Sequence, residues 1–236
     1  MENNSKSSVV YQGKIPGRVK YSFAFGALGK DLIYGMIATF SMIYFTDIIK
    51  VAPAFIGTMF FVAKIWDAFN DLFMGMLVDN TRSRYGKFIP WLVVGTLINA
   101  FVFVIVFTDF HLTGVNLCIF ASVIYVLWGM TYTIMDIPYW SMIPAFTEGG
   151  KERENMSTMA RSCAGVGSAL VTIITMQCVY MLGKGNEYAG FKWFALIISI
   201  LFFAAILITC FNIREKSTVD VETVSVKQMF KALFQN

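Results

Sequence analysis

The residues best suited to chemistry in this chain are charges set in apolar sequence. Asp67 and Asp71 lie four positions apart, with Lys64 three positions before Asp67 and Asn70 between the two carboxylates. Residues three and four apart share a helix face, so Lys64, Asp67 and Asp71 point the same way. Two carboxylates one turn apart repel each other unless a cation lies near both. A hard monovalent cation such as Na+ takes oxygen ligands, and Asp67, Asn70 and Asp71 supply several within one turn. A proton satisfies the same pair by neutralising one member. Lys64 alone balances one of the two charges and would leave a merely stabilising cluster.

A second pattern is aromatic. Trp128, Tyr132, Asp136 and Trp140 recur every four residues, with Gly129 and Thr133 beside them. That spacing stacks two indoles, a phenol and a carboxylate along one stripe of a helix. Aromatic faces pack against the apolar face of a pyranose, and a carboxylate accepts hydrogen bonds from its hydroxyls. The same rings also suit a core or an interfacial belt; the carboxylate of Asp136 in their midst favours a neutral polyol. Lys30, Asp31 and Arg161 complete the set of embedded charges. Arg161 reads either as a ligand for substrate or as the counter-ion of Asp136 or Asp31. Lys30 and Asp31 are sequence neighbours, about 100° apart on a helix, so an ion pair between them does not follow from spacing.

These charges matter because of what surrounds them. Hydrophobic residues make up 57% of the 236 residues and charged ones 14%, with a mean hydropathy of +0.63. Soluble domains run at about 45–50% apolar and about 25% charged, so the solvent implied here is a lipid bilayer. Ionisable groups inside a bilayer cost about 2.5–3.5 kcal/mol each on insertion scales and face a cavity or a partner. A spanning helix needs about 20 mostly apolar residues. Six stretches qualify, at roughly 23–48, 54–78, 89–109, 115–145, 157–183 and 190–211, giving an all-α integral membrane bundle over 23–211. Pro138 and Pro144 predict a kink in the fourth.

Loop charge sets the expected orientation. Lys6, Lys14, Arg18 and Lys20 precede the first span; Arg82, Arg84 and Lys87 fill the second connection; Lys151 and Arg153 fill the fourth. The alternate connections carry far fewer cations, so both the 1–22 segment and the 212–236 tail are expected in the cytoplasm of a multi-pass cell (plasma or inner) membrane protein. The start, MENNSKSSVVYQGKIPGRVK, lacks a short apolar core with a small-residue cleavage site and is not expected to be a secretory signal. Val226, Met229, Phe230 and Leu233 predict a short amphipathic surface helix.

Other chemistry finds little support. The four cysteines, Cys118, Cys163, Cys178 and Cys210, lie in apolar stretches without metal-ligand spacing. The single histidine, His111, sits in a connection, and no Walker loop, GxGxxG or GxSxG occurs. An enzyme is therefore not expected, nor a nucleotide cofactor. A net charge of +4 gives no ground for a nucleic-acid partner.

The strings WGMTYTIMDIPYWSMIP (128–144), AKIWDAFNDLFMG (63–75), FGALGKD (25–31) and TRSRYGKFIPW (81–91) closely resemble the glycoside–pentoside–hexuronide:cation symporters. These are the melibiose permease-like sugar carriers of the major facilitator fold. The match is in register from about Lys20 to Arg161 and looser beyond. The resemblance implies that Asp67 and Asp71 form the core of a Na+, Li+ or H+ site, with Asn70 tied to Na+ use and Thr133 beside it. It implies sugar contacts for Lys30, Asp31, Tyr132, Asp136, Trp140 and Arg161, and a cavity lining that includes Trp128 and Gly129. It places the Arg153 loop in a segment linked to conformational switching. Lys64 departs from the melibiose-type pattern, which has arginine there; the charge stays and the bidentate fork is lost.

The family has two six-helix bundles, so the chain is expected to be the amino-terminal one, needing a second bundle to complete the sugar cavity. The function expected is sugar:cation symport, with a neutral galactoside suited to the acidic first and fourth helices. The alternatives are a non-transporting fragment and a six-span channel or transporter working as a homodimer.

Overall fold

A computed structural model describes Tyr11, residues 14–213 and Glu215. Six long α-helices account for nearly all of that chain: α1 (Gly17–Ile43), α2 (Pro53–Asp79), α3 (Ile89–Val106), α4 (Gly114–Phe146), α5 (Gly150–Gly183) and α6 (Glu187–Asn212). A π-helical turn, Tyr44–Ile48, extends α1. The predicted surface helix around Val226, Met229, Phe230 and Leu233 lies outside the described residues.

The helix ends follow local chemistry. Proline sits in the first turn of α2 and of α3, where a missing N–H costs nothing. Asn186 caps α6 by accepting from the Ala189 N–H at 3.2 Å. Helix α5 ends on Lys184 in the left-handed region. It begins at Gly150, well before the apolar stretch that starts near 157, because the intervening KEREN run is rich in good helix formers. Helix α4 continues through Pro138 and Pro144 rather than ending at either.

Among the described residues five helical segments are long and apolar enough to cross a bilayer: Gly17–Ile48, α3, α4, α5 and α6. Helix α2 has the length, at 27 residues, but falls short in hydropathy because Lys64, Asp67, Asn70 and Asp71 lie within it. The chain is a multi-pass membrane protein, its described residues holding five such segments and one further, charged helix.

Helix α1 is central, packing on α5 and α6, while α3 packs on α4 and α6 and α2 lies against α4. In lipid, helices associate through close packing, which small residues permit. Gly167 of α5 shows this: a Cβ there would stand 2.5 Å from the Leu28 carbonyl oxygen of α1. Phe23 of α1 stacks on Tyr139 of α4 with ring centres 4.3 Å apart, and the Tyr139 hydroxyl donates to the Phe23 carbonyl. Thr209 of α6 donates to the Ser22 carbonyl at 2.8 Å. These contacts fix α1 against α4 and α6 and so set where its charges emerge.

At one end of the bundle Tyr11 N–H donates to the Phe146 carbonyl at 3.1 Å, and Lys20 pairs with Glu152 at 2.6 Å. The DNTRSRYGK connection is ordered as well: Lys87 pairs with Asp79, and Arg82 donates to the carbonyls of Asp79 and Thr81. All four cysteines are free thiols.

Candidate ligand cavities between α1, α2, α4 and α5

Two adjoining cavities gather most of the embedded charges. One, of about 450 Å³, lies between α1, α4 and α5 and is walled by Lys30, Asp31, Asp136, Trp140 and Arg161. The other, of about 350 Å³, lies between α2 and α4 and is walled by Lys64, Asp67, Asp71, Trp128, Gly129 and Thr133. Tyr34, Tyr132 and Asp136 belong to both.

Lys30 organises the first cavity. Its side chain is 4% exposed, and a lysine so buried needs partners for all its protons. Its Nζ lies 2.7 Å from Asp136 Oδ1, 3.0 Å from Asp31 Oδ2 and 3.0 Å from the Tyr132 hydroxyl, to which it donates. The contact with Asp31 is a charge contact without hydrogen-bond alignment, since that oxygen has no hydrogen-bond partner. Sequence spacing left a Lys30–Asp31 pair open; the long lysine side chain reaches around the helix to form it. Trp140 Nε1 donates to Asp136 at 3.2 Å, which orients that carboxylate.

Arg161 makes no ion pair with a carboxylate among the described residues; its guanidinium lies 4.9 Å from the Trp140 ring centre. Of the two roles that the sequence left open for it, that of counter-ion to Asp136 is filled instead by Lys30. The Trp140 ring also has Lys30 Nζ at 5.1 Å, so two cations attend one indole.

The second cavity carries the carboxylate pair. Asp67 and Asp71 both face it, with Lys64 Nζ 3.2 Å from Asp67 Oδ2. Thr133 donates to Asp71 Oδ1 at 3.0 Å. Gly129 backs Asp67: a Cβ at 129 would stand 2.8 Å from Asp67 Oδ1, so only glycine leaves that carboxylate its position. Asn70 is not among the lining residues, and its Nδ2 is buried without a hydrogen-bond partner among the described residues. It follows Asp67 by three positions and precedes Asp71 by one, and the turn carries it off the wall that the two carboxylates share. Among the described residues no three His, Cys, Asp or Glu side chains converge as a metal cluster. The donor set is two carboxylates and a hydroxyl, all oxygen, which suits a hard monovalent cation or a proton and not a soft metal.

The aromatic stripe divides. Trp128 is 4% exposed and stacks on Tyr132 with centres 5.3 Å apart, so Trp128 is committed to packing while Tyr132, half-buried, still lines both cavities. Tyr34, which the motif reading did not single out, is 40% exposed. It stands three positions after Asp31, on the same helix face, and that spacing was the available signal.

Comparison with known proteins follows the same lines. A family model described as MFS/sugar transport protein matches residues 22–236. The "Inner membrane symporter YicJ" of Escherichia coli (strain K12) is 30% identical over 92% of this chain and 47% of its own length. The "Isoprimeverose transporter" of Lactiplantibacillus pentosus is 26% identical over 98% of the chain and 49% of its own length. A "Lactose permease" of Lactobacillus helveticus is 31% identical over 96% and 40%. These relatives are membrane transporters, not enzymes, and the chain spans about half the length of the curated relatives it matches.

Proposed function

The chain belongs to the MFS/sugar transport protein family, and on that premise we propose that it is the amino-terminal six-helix half of a sugar:cation symporter. In this reading α2 is the sixth membrane-spanning helix, its charged face turned to the cavity. The cation-rich connections lie on the cytoplasmic side of the inner (plasma) membrane, and both ends of the bundle lie there too. A second bundle closes the cavities, and the two halves rock about them in alternating access.

The observation that carries the reading is the adjacency of the two cavities through Asp136 and Tyr132. Asp67 and Asp71, with Thr133, take the coupling cation, Na+ or H+; Asn70 stands behind the wall they form. Lys30, Asp31, Asp136, Trp140 and Arg161 take the sugar, with Tyr132 and Trp128 as the packed wall behind them. A cation between Asp67 and Asp71 removes their repulsion and firms α2 against α4, so the sugar meets a pre-formed wall. By linkage the sugar raises cation affinity by the same factor. The carboxylates of Asp31 and Asp136 suit hydroxyl donors and repel an anionic substrate, which supports a neutral glycoside of galactoside type. Relatives include a lactose permease and a raffinose carrier, and both of those sugars are neutral.

The test uses the carrier completed by a second bundle, in membrane vesicles. Asp67→Cys or Asp71→Cys is expected to abolish Na+-stimulated sugar binding, and Asp136→Ala to remove sugar binding while sparing the cation. Undiminished Na+ stimulation in both aspartate variants would sink the cation assignment; full sugar affinity in Asp136→Ala would sink the sugar site.

A further inference from the structure

Of the two rings common to both cavities, Tyr34 is the exposed one and Tyr132 is half-buried. Tyr132 is covered by Trp128 on one side, with ring centres 5.3 Å apart and planes 27° apart. Tyr34 lies 5.6 Å from Tyr132, tilted by 34°. The Tyr132 hydroxyl already accepts from Lys30, and the Trp128 indole is almost wholly buried. Tyr34 and Trp140 are therefore the rings freest to meet a ligand, and they differ in company. Trp140 sits among Lys30, Arg161 and Asp136, which is the end suited to a hydroxyl-rich sugar ring held by charge-assisted hydrogen bonds. Tyr34 stands where that cavity opens into the one walled by Asp67 and Gly129. Its hydroxyl makes no hydrogen bond to protein among the described residues.

We propose that Tyr34 is a specificity-determining residue, an aromatic platform that takes the second ring of a disaccharide whose first ring is held at Lys30, Asp31 and Asp136. The two cavities, about 450 and about 350 Å³, together fall in the range of ordinary ligand sites, about 300–1,000 Å³. One hexose fixed at the charged end leaves the Tyr34 end for a second ring. A tyrosine suits that place because its face is apolar, its free hydroxyl can meet a sugar hydroxyl, and few torsions freeze on binding. The alternative, that Tyr34 only braces Tyr132, makes a different prediction: its loss would then weaken every sugar alike.

The proposal rests on the sugar-carrier reading, and the experiment separates the two. Binding of lactose and of methyl β-galactoside, which share the galactosyl ring and differ in the second, is measured on the carrier completed by a second bundle. Tyr34→Ala is expected to weaken lactose about tenfold, as loss of one aromatic contact predicts, and to leave methyl β-galactoside within about twofold. Tyr34→Phe and Tyr34→Trp are expected to keep the lactose preference, and Na+ stimulation to persist throughout. Tyr34→Leu, which fills the volume without a ring, should behave as Tyr34→Ala and serves if the alanine variant does not fold. Equal loss for both probes, or a phenylalanine variant as poor as alanine, overturns the proposal alone. Wild-type protein that binds neither probe overturns the galactoside reading and this proposal with it.

Discussion

Lys30 of α1 and Asp136 of α4 meet at 2.7 Å, and this pair ties the central helix to the helix that carries the aromatic stripe. The ammonium is deeply buried and shared with Asp31 and Tyr132, so its loss leaves two carboxylates facing each other in low dielectric. Removing one partner of such a pair costs about 3–5 kcal/mol when both are fully buried. Asp136 keeps 28% side-chain exposure, which moves the expectation to the lower end. Lys30→Leu should therefore lower thermal stability in detergent by about 3 kcal/mol. The double variant Lys30→Leu, Asp136→Leu should be less destabilised than the sum of the two single ones. Strict additivity would show that the pair is not coupled.

Gly129 offers a second handle, on the cation side. A methyl group at this position meets Asp67 Oδ1 at 2.8 Å, closer than a carbon and an oxygen can rest. Gly129→Ala should push Asp67 out of line with Asp71 and lower cation affinity about tenfold or more, the scale on which small misplacements act. Sugar affinity without cation should change little. Titration of Na+-dependent tryptophan fluorescence reads both, and an unaltered cation affinity would show that the carboxylate has room to move.

Much of this arrangement was legible beforehand, for physical reasons that differ by element. Helices α3, α4 and α6 follow from long apolar runs, and the shared face of Asp67 and Asp71 follows from helical periodicity alone. The approach of Lys30 to Asp136 was not legible, because 106 positions separate them and their meeting depends on how α1 is pinned by Tyr139 and Thr209. The same applies to Tyr34, an ordinary aromatic until the fold brings Tyr132 beside it. Asn70 shows the converse: composition put three oxygen-bearing side chains in one turn, and the turn itself rotates Asn70 off the wall. The early start of α5 was hidden because polar helix formers look like a loop to a hydropathy argument.

Arg153 closes the far end of α4. Its guanidinium donates to the Thr147 carbonyl at 2.8 Å, to the Thr147 hydroxyl at 2.9 Å and, weakly, to the Pro144 carbonyl at 3.5 Å. The last carbonyls of a helix have no partners of their own, and a cation there also opposes the helix dipole. Arg153→Ala should cost about 1.5–3 kcal/mol, the range for hydrogen bonds to a charged group, with Arg153→Lys between it and wild type. Thermal unfolding in detergent measures this. If the loop also takes part in switching, the alanine variant will slow transport more than it weakens sugar binding. Equal effects on both would confine Arg153 to stability.

Glu215 gives the chain a pH response outside the spanning helices. Its Oε2 accepts the Phe88 N–H at 2.9 Å at the start of α3, and its Oε1 is buried without a hydrogen-bond partner among the described residues. Burial pushes this carboxyl above the usual range, more than the backbone N–H groups of Phe88, Lys87 and Ile89 pull it down. A carboxyl whose pKa is raised on folding binds more protons folded than unfolded, so the slope of stability with pH is negative. The docking of Glu215 onto the 86–89 segment is thus firmest at acid pH and weakens as pH rises through the raised value. Amide exchange at Phe88 and Ile89 should speed up with pH beyond the ordinary base-catalysed trend. Glu215→Gln, which carries no charge at any pH, should remove that excess. Exchange that speeds up equally in both proteins would show that Glu215 does not govern the contact.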